Sequence, residues 1–157
     1  MEIKRICIGS DHAGFGLKSE LIKYIKNDLK LEIEDCGSEN ANRCDYPDFS
    51  VKVCQKVLEN TQENLGIVVC GSGVGISLGC NKVKGIRCGL SHDYYTAKYS
   101  KEVLNCNIMS MGERIIGLDV AKQMVDVFIK TQYKPTEESN TFIQELKKIE
   151  EANLNLH

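Results

Sequence analysis

The sequence predicts an α/β fold: a three-layer αβα sandwich, Rossmann-like, around a mostly parallel five-stranded sheet, with a C-terminal helix. Three observations predict it. Short β-rich runs alternate with helix-period stretches along the chain, the pattern of successive βαβ units. One run, Gly66-Ile67-Val68-Val69-Cys70, is apolar without alternation, as a strand covered on both faces must be. The residues able to do chemistry follow directly after strand runs, at the carboxyl ends where parallel sheets bind ligands.

Each element can be justified in turn. Ile3 to Ile8 is the first strand, ended by Gly9-Ser10-Asp11-His12-Ala13-Gly14. Leu17, Leu21, Ile22 and Ile25 then recur at helical spacing. Leu29 to Asp35 alternates and stops at Cys36-Gly37, which reads as a second strand. Ser38 to Asp45 is polar and reads as a loop. Tyr46-Pro47-Asp48-Phe49 opens a helix carrying Val51, Val53, Cys54, Val57 and Leu58. Proline in the first turn removes only a donor that has no helical acceptor. Asn60 to Asn64 breaks this helix, the central strand follows, and a short helix is expected from about Val74 to Val83. Gly85 to Leu90 reads as the fourth strand and Ile108 to Gly112 as the fifth. Between them, Ser91-His92-Asp93 opens a helix running to Val103. Ile115 to Ile129 is an amphipathic helix. After Pro135, Thr136 to Ala152 is mostly polar, with Phe142, Ile143, Leu146 and Ile149 at helical spacing. That tail is expected to dock on this chain or on a partner. One domain is expected over residues 1–157, with a core of 1–133 and a helical tail of 134–157.

The bulk numbers narrow the function. The chain has 157 residues and a formal net charge of −2. That argues against a dominant nucleic-acid or polybasic membrane role, while a local anion site needs only a few groups. No run approaches the length of a membrane span. The opening Met1-Glu2-Ile3-Lys4-Arg5-Ile6 reads as a strand and not as a signal peptide, so a cytoplasmic protein is expected. The eight cysteines are scattered with no Cys-x-x-Cys pair, which suits free thiols in a reducing compartment better than a disulfide framework. Their spacing to His12, His92 and His157 fits no common zinc pattern, so no metal is expected.

The chemistry centres on Cys70-Gly71-Ser72-Gly73-Val74-Gly75, the turn from the central strand into a helix. Alternating glycines let backbone N–H groups approach a ligand closely. The helix N-terminus adds positive potential, which makes a site for an anion or for negative charge that develops during reaction. A thiol there should carry more thiolate and can act as a carbon base or a nucleophile. The plainer reading is a buried strand-end cysteine. A dinucleotide fingerprint is the rival use of the loop, weakened because the pattern is G-x-G-x-G after the third strand. Asp11 and His12 could grip a sugar hydroxyl or a phosphate, or serve as an N-cap and a solvated imidazole. His92 reads as a solvated loop histidine, with proton donation as the alternative. Arg114 could hold a phosphate through two N–H groups or lie idle on the surface.

With these residues in view, the chain resembles the ribose-5-phosphate isomerase B family, whose relatives include galactose-6-phosphate isomerase subunits. The resemblance spans about Ile3 to Tyr133. It rests on Gly9-Ser10-Asp11-His12-Ala13-Gly14, Asp45-Tyr46-Pro47, Cys70 to Ser77, Asn81-Lys82, Gly85-Ile86-Arg87, Gly112 to Gly117 and Ala121-Lys122. It implies an aldose–ketose isomerase of the pentose phosphate pathway that converts ribose 5-phosphate to ribulose 5-phosphate without a metal or other cofactor. Cys70 would move a proton between C1 and C2 through an enediol. The amides of Gly71, Ser72, Gly73, Val74 and Gly75 would stabilise the enediolate, and Ser72 would position the sugar. Asp11 would bind hydroxyls, while His12 and Arg114 would hold substrate and phosphate. The implied assembly is a homodimer or dimer of dimers with sites shared across the interface, so that Arg114 could serve the partner's site. Two departures stand out. Val103 and Leu104 occupy the positions of a ring-opening His-Asn pair, and Glu137 and Thr141 those of two phosphate-binding arginines. The resemblance therefore leaves three readings. The enzyme is active with His92, another residue or water opening the ring and Lys134 supplying charge. Or it acts on a different sugar. Or it is a binding or partner subunit.

Overall fold

The computed structural model describes residues 2–153. His157, assigned no role from the sequence, lies outside the described residues. The sheet has five strands: β1 (Arg5–Ser10), β2 (Glu32–Asp35), β3 (Asn64–Cys70), β4 (Cys88–Leu90) and β5 (Ile108–Gly112), in the order β2-β1-β3-β5-β4. Every pairing is parallel, so the sheet is wholly parallel where the sequence predicted mostly so. The helices are α1 (Phe15–Asn27), α2 (Tyr46–Leu58), α3 (Val74–Asn81), α4 (Tyr94–Glu102), α5 (Leu118–Lys130) and α6 (Glu137–Ala152), with a 3-10 turn over His12–Gly14. Among the described residues no helix is long and apolar enough to cross a membrane.

Side-chain alternation along the strands sorts the core into two layers. Ile6, Ile8, Leu65, Ile67, Val69, Met109 and Met111 face α1, α4 and α5. Cys7, Val68, Cys70 and Ile108 face α2 and α3. All seven residues of β3 are buried, which accounts for its uninterrupted apolar run. Each fully buried Ile or Val there stabilises the fold by roughly 1.5–3 kcal/mol relative to exposure. Cys70 is thus the carboxyl-end residue of the most buried strand, with its side chain on the α2/α3 side.

The chain leaves β1 for β2 on one side and returns to β3 on the other. That reversal opens a crevice at the carboxyl ends of β1 and β3, where ligands bind in open parallel sheets. Asp11 follows one of these strands and Gly71 follows the other.

Several boundaries differ from the sequence reading, for identifiable reasons. β2 begins at Glu32, because Lys30 at φ 57 and the Leu31 N–H bond to the Ile25 carbonyl spend residues 29–31 on closing α1. β4 begins at Cys88, because Gly85 stands at φ 85 and the side chain of Asn107 bonds both the Arg87 N–H and the Gly85 carbonyl. Those groups form a turn and not a ladder. α5 begins at Leu118, because Ile115 and Ile116 donate back to the Gly112 carbonyl in a turn. The tail touches its own chain through polar contacts, while its apolar residues Phe142, Leu146 and Ile149 stay exposed. Tyr133 Oη donates to Asn140 Oδ1 at 2.7 Å, and Glu150 accepts the Gly85 N–H at 2.8 Å.

Candidate active site

The glycine turn is built around Cys70. Cys70 is 5% exposed, and the Gly73 N–H donates to its Sγ at 3.0 Å. Gly73 takes φ +78, and a Cβ there would stand 2.8 Å from the Met111 carbonyl carbon, so only glycine fits. The Gly73 carbonyl accepts the Ser110 hydroxyl at 2.7 Å. Ser110 is fully buried in β5, and sequence reasoning missed it. Its signal was a single polar residue inside the apolar run Ile108-Met109-Ser110-Met111. Ser72 Oγ accepts the Val74 N–H at 3.2 Å, so its hydroxyl steadies the first turn of α3.

Three neighbouring segments close around this turn. A Cβ on Gly71 would meet the Arg114 guanidinium at 3.2–3.3 Å and the Ala13 methyl at 3.4 Å. The Arg114 N–H donates to the Gly71 carbonyl at 3.0 Å. Arg114 therefore lies over the glycine turn of its own chain, with its side chain exposed toward solvent. A Cβ on Gly75 would stand 2.9 Å from the Tyr46 ring. Tyr46, read from the sequence only as a helix opener, is part of the site wall; its signal was the Asp45-Tyr46-Pro47 motif.

Asp11 and His12 arrive from β1. Gly14 packs against the Val69 carbonyl, which brings their turn beside the strand that ends at Cys70. Asp11 is buried, and its Oδ1 accepts the Ala13 N–H at 2.9 Å and the Gly14 N–H at 3.2 Å. The N-cap reading thus holds for this oxygen. His12 is not a freely solvated imidazole. Its Nδ1 lies 3.2 Å from the Cys44 carbonyl and 3.3 Å from the Cys44 nitrogen. With the proton on Nε2, Nδ1 accepts the Cys44 N–H; with the proton on Nδ1, it donates to the carbonyl. Either way the ring pins the loop that leads into α2.

His92 corrects the sequence reading of a solvated loop histidine. Its ring is partly buried, and Nε2 is buried with no hydrogen-bond partner among the described residues. Next to it, Asp93 caps α4, and the Thr96 N–H and hydroxyl hold its carboxyl below the usual carboxylate range.

Both departures in the sequence have structural roles. Val103 is the C-cap of α4, and Leu104 is partly buried against the core. Glu137 and Glu138 form the first turn of α6 behind a Thr136–Ser139 capping box. Lys134, the cation proposed to compensate, pairs with Glu102 at 2.5 Å. Among the described residues, no group of three or more His, Cys, Asp or Glu could hold a metal ion.

A buried thiol under a backbone N–H, at the switch point of a parallel sheet and next to a glycine that an arginine covers, is an arrangement chemically suited to proton transfer beside developing negative charge. Comparison with known proteins specifies the class. A family model for ribose/galactose isomerase matches residues 6–146. The chain belongs to that family of sugar-phosphate isomerases. It is 36% identical to ribose-5-phosphate isomerase B of Escherichia coli over 84% of this chain and 87% of the relative. It is 40% identical to galactose-6-phosphate isomerase subunit LacB of Clostridium acetobutylicum, over 88% of this chain and 79% of that one. The solved ribose-5-phosphate isomerase B of Clostridium thermocellum superposes with a TM-score of 0.90 at 38% identity, covering 95% of this chain and 99% of that one.

Proposed function

We propose that this protein is a cytoplasmic aldose–ketose isomerase that interconverts ribose 5-phosphate and ribulose 5-phosphate, with Cys70 as the carbon base. The Gly73 N–H held on the Cys70 sulfur is the observation that carries this reading. In the reaction the Cys70 thiolate takes the proton from C2 of the open-chain aldose. The C–H electron pair forms the C1–C2 double bond, and the C1 carbonyl oxygen becomes negative. The amides from Gly71 to Gly75 and the α3 N-terminus face that oxygen and stabilise it without reorganising. A proton passes from O2 to O1, the C2 carbonyl forms, and the Cys70 thiol returns its proton to C1. Ser72 positions the sugar, Asp11 binds its hydroxyls, and His12 with Arg114 holds the phosphate. The site is shared across a homodimer or a dimer of dimers. Exposed Tyr46, Val74, Leu78 and Leu90 around the glycine turn support that assembly. The free state of all eight cysteines suits a reducing compartment.

A second reading is favoured by apolar Leu104, partly buried against the core, and by the acidic start of α6. This chain would then serve a different sugar phosphate, or work as one subunit of a mixed assembly whose partner supplies ring opening and phosphate binding. A panel of sugar phosphates followed by NMR separates the two. Turnover of ribose 5-phosphate by the purified chain alone supports the first reading. Turnover only of another sugar phosphate, or none without a second chain, supports the second.

A further inference from the structure

We propose that Glu113 is a positioning residue of the isomerase site: by capping α1 from the β5–α5 loop, it sets the gap between the Asp11–His12 turn and Arg114. The inference rests on the reading of His12 and Arg114 as the groups that hold phosphate. α1 carries no cap of its own. Its N-cap residue, Gly14, accepts no first-turn N–H through a side chain, and that turn holds no acidic residue. The acceptor comes from 96 residues along the chain, where Glu113 Oε1 takes the Leu17 N–H. A carboxylate there satisfies a donor that the helix itself leaves without a partner, and it meets the positive end of the helix dipole. Gly16 makes room for it, since a Cβ at that position would stand 2.9 Å from the same Oε1.

The backbone of Glu113 is tied to the glycine turn. Its N–H donates to the Cys70 carbonyl at 2.9 Å, and the N–H of Arg114 donates to the Gly71 carbonyl at 3.0 Å. The two segments lie close, because a Cβ on Gly112 would stand 2.6 Å from the Ser72 carbonyl carbon. One partly buried residue therefore joins all three segments of the site. Its main chain is fixed to the strand end that carries Cys70, its side chain to the helix that follows Asp11 and His12, and its neighbour is Arg114. Gly71 lies between the two arms: its Cβ position is 3.4 Å from the Ala13 methyl and 3.2–3.3 Å from the Arg114 guanidinium. Without the Glu113 carboxylate, α1 loses its cap and the Asp11–His12 turn is free to tilt away from Arg114. Cys70 and its glycine turn keep their backbone bonds to β5. Phosphate binding then weakens while proton transfer is spared.

The test compares Glu113→Ala, Glu113→Gln and Gly16→Ala with the wild-type full chain. It reads KM and kcat on ribose 5-phosphate, the dissociation constant of inorganic phosphate by NMR titration, and the melting temperature. In Glu113→Ala, KM and the phosphate constant should both rise about tenfold, with kcat within about threefold of wild type. Glu113→Gln, whose amide oxygen can still accept the Leu17 N–H, should recover most of that loss. Gly16→Ala should weaken phosphate binding by the same route while the melting temperature holds, because alanine is the better helix former. Gly16→Ala combined with Glu113→Ala should bind phosphate no more weakly than Glu113→Ala alone. Additive losses in the double variant overturn the proposal, as do variants that lower only the melting temperature or lower kcat with KM unchanged. Wild-type protein that binds phosphate but leaves ribose 5-phosphate unconverted refutes the substrate reading alone, and the phosphate constants of the variants then decide the role of Glu113. Wild-type protein that binds no phosphate overturns both.

Discussion

Replacing Gly73 with alanine tests the glycine turn more sharply than any change to the ligand-binding side chains. Two costs follow from the geometry. A side chain at φ +78 costs about 1–2 kcal/mol for an L-residue. The new methyl would stand 2.8 Å from Leu90 Cδ1 and from the Met111 carbonyl carbon. Leu90 can rotate away, but the β5 backbone cannot, so the turn itself must move. Its movement withdraws the Gly73 N–H from Cys70 and misaligns the amides beside it. Loss of one aligned donor at a developing charge lowers kcat by on the order of 10²–10³. The expected result for Gly73→Ala is therefore a fall in kcat of about 10² with KM little changed, read by a coupled or NMR isomerisation assay. The melting temperature should fall by roughly 2–4 °C per kcal/mol of lost stability. Gly71→Ala is the control, since its methyl would meet the flexible Arg114 guanidinium at 3.2–3.3 Å and the Ala13 methyl at an ordinary 3.4 Å. It should raise KM more than it lowers kcat. A Gly73→Ala enzyme that keeps wild-type kcat would refute the role assigned to the turn.

Further outcomes follow from the same geometry. Ser110→Ala removes the 2.7 Å bond to the Gly73 carbonyl; differential scanning should show a loss of about 1–3 kcal/mol, with a smaller fall in kcat than Gly73→Ala. Arg114→Ala should raise KM for a phosphorylated sugar about tenfold or more while leaving the melting temperature unchanged, because its guanidinium is exposed over Gly71. Alkali should destabilise the fold. Burial pushes Cys7 up to about 12 and Cys36 and Cys106 up to about 11, against an ordinary 9.0. In that window the unfolded chain binds fewer protons than the native one, so stability falls as pH rises. The contribution is complete below pH 9 and lost between about 9 and 12, and Cys7→Ala should make the decline in urea-unfolding free energy shallower.

Much of this molecule was legible in its sequence, and the illegible parts have physical causes. The buried run of β3 and the alternation of strands and helices dictated a parallel sheet covered on both faces, so Cys70 and Asp11 could be placed at one crevice before any coordinate. The glycine turn was equally plain, since three alternating glycines serve little purpose except close backbone approach. Side-chain satisfaction of backbone groups was not legible. Asn107 turning Gly85 to Arg87 into a bend, and Ser110 holding Gly73 from a neighbouring strand, depend on tertiary contacts that no periodicity records. The same holds for His12, whose ring faces the backbone of Cys44, distant in sequence, and for Lys134, whose charge Glu102 takes up. Val103 and Glu137 were visible as departures from the family pattern. Only the structure shows that Val103 is the C-cap of α4 and that Glu137 begins the first turn of α6.

The central claim is that Cys70 moves a carbon-bound proton. Incubating Cys70→Ala with the turned-over sugar phosphate in D2O, and following the sugar by NMR, addresses it directly. The variant should fold with an unchanged melting temperature, bind the sugar phosphate, and incorporate no deuterium at C1 or C2. Deuterium entering the sugar at the wild-type rate would contradict the account.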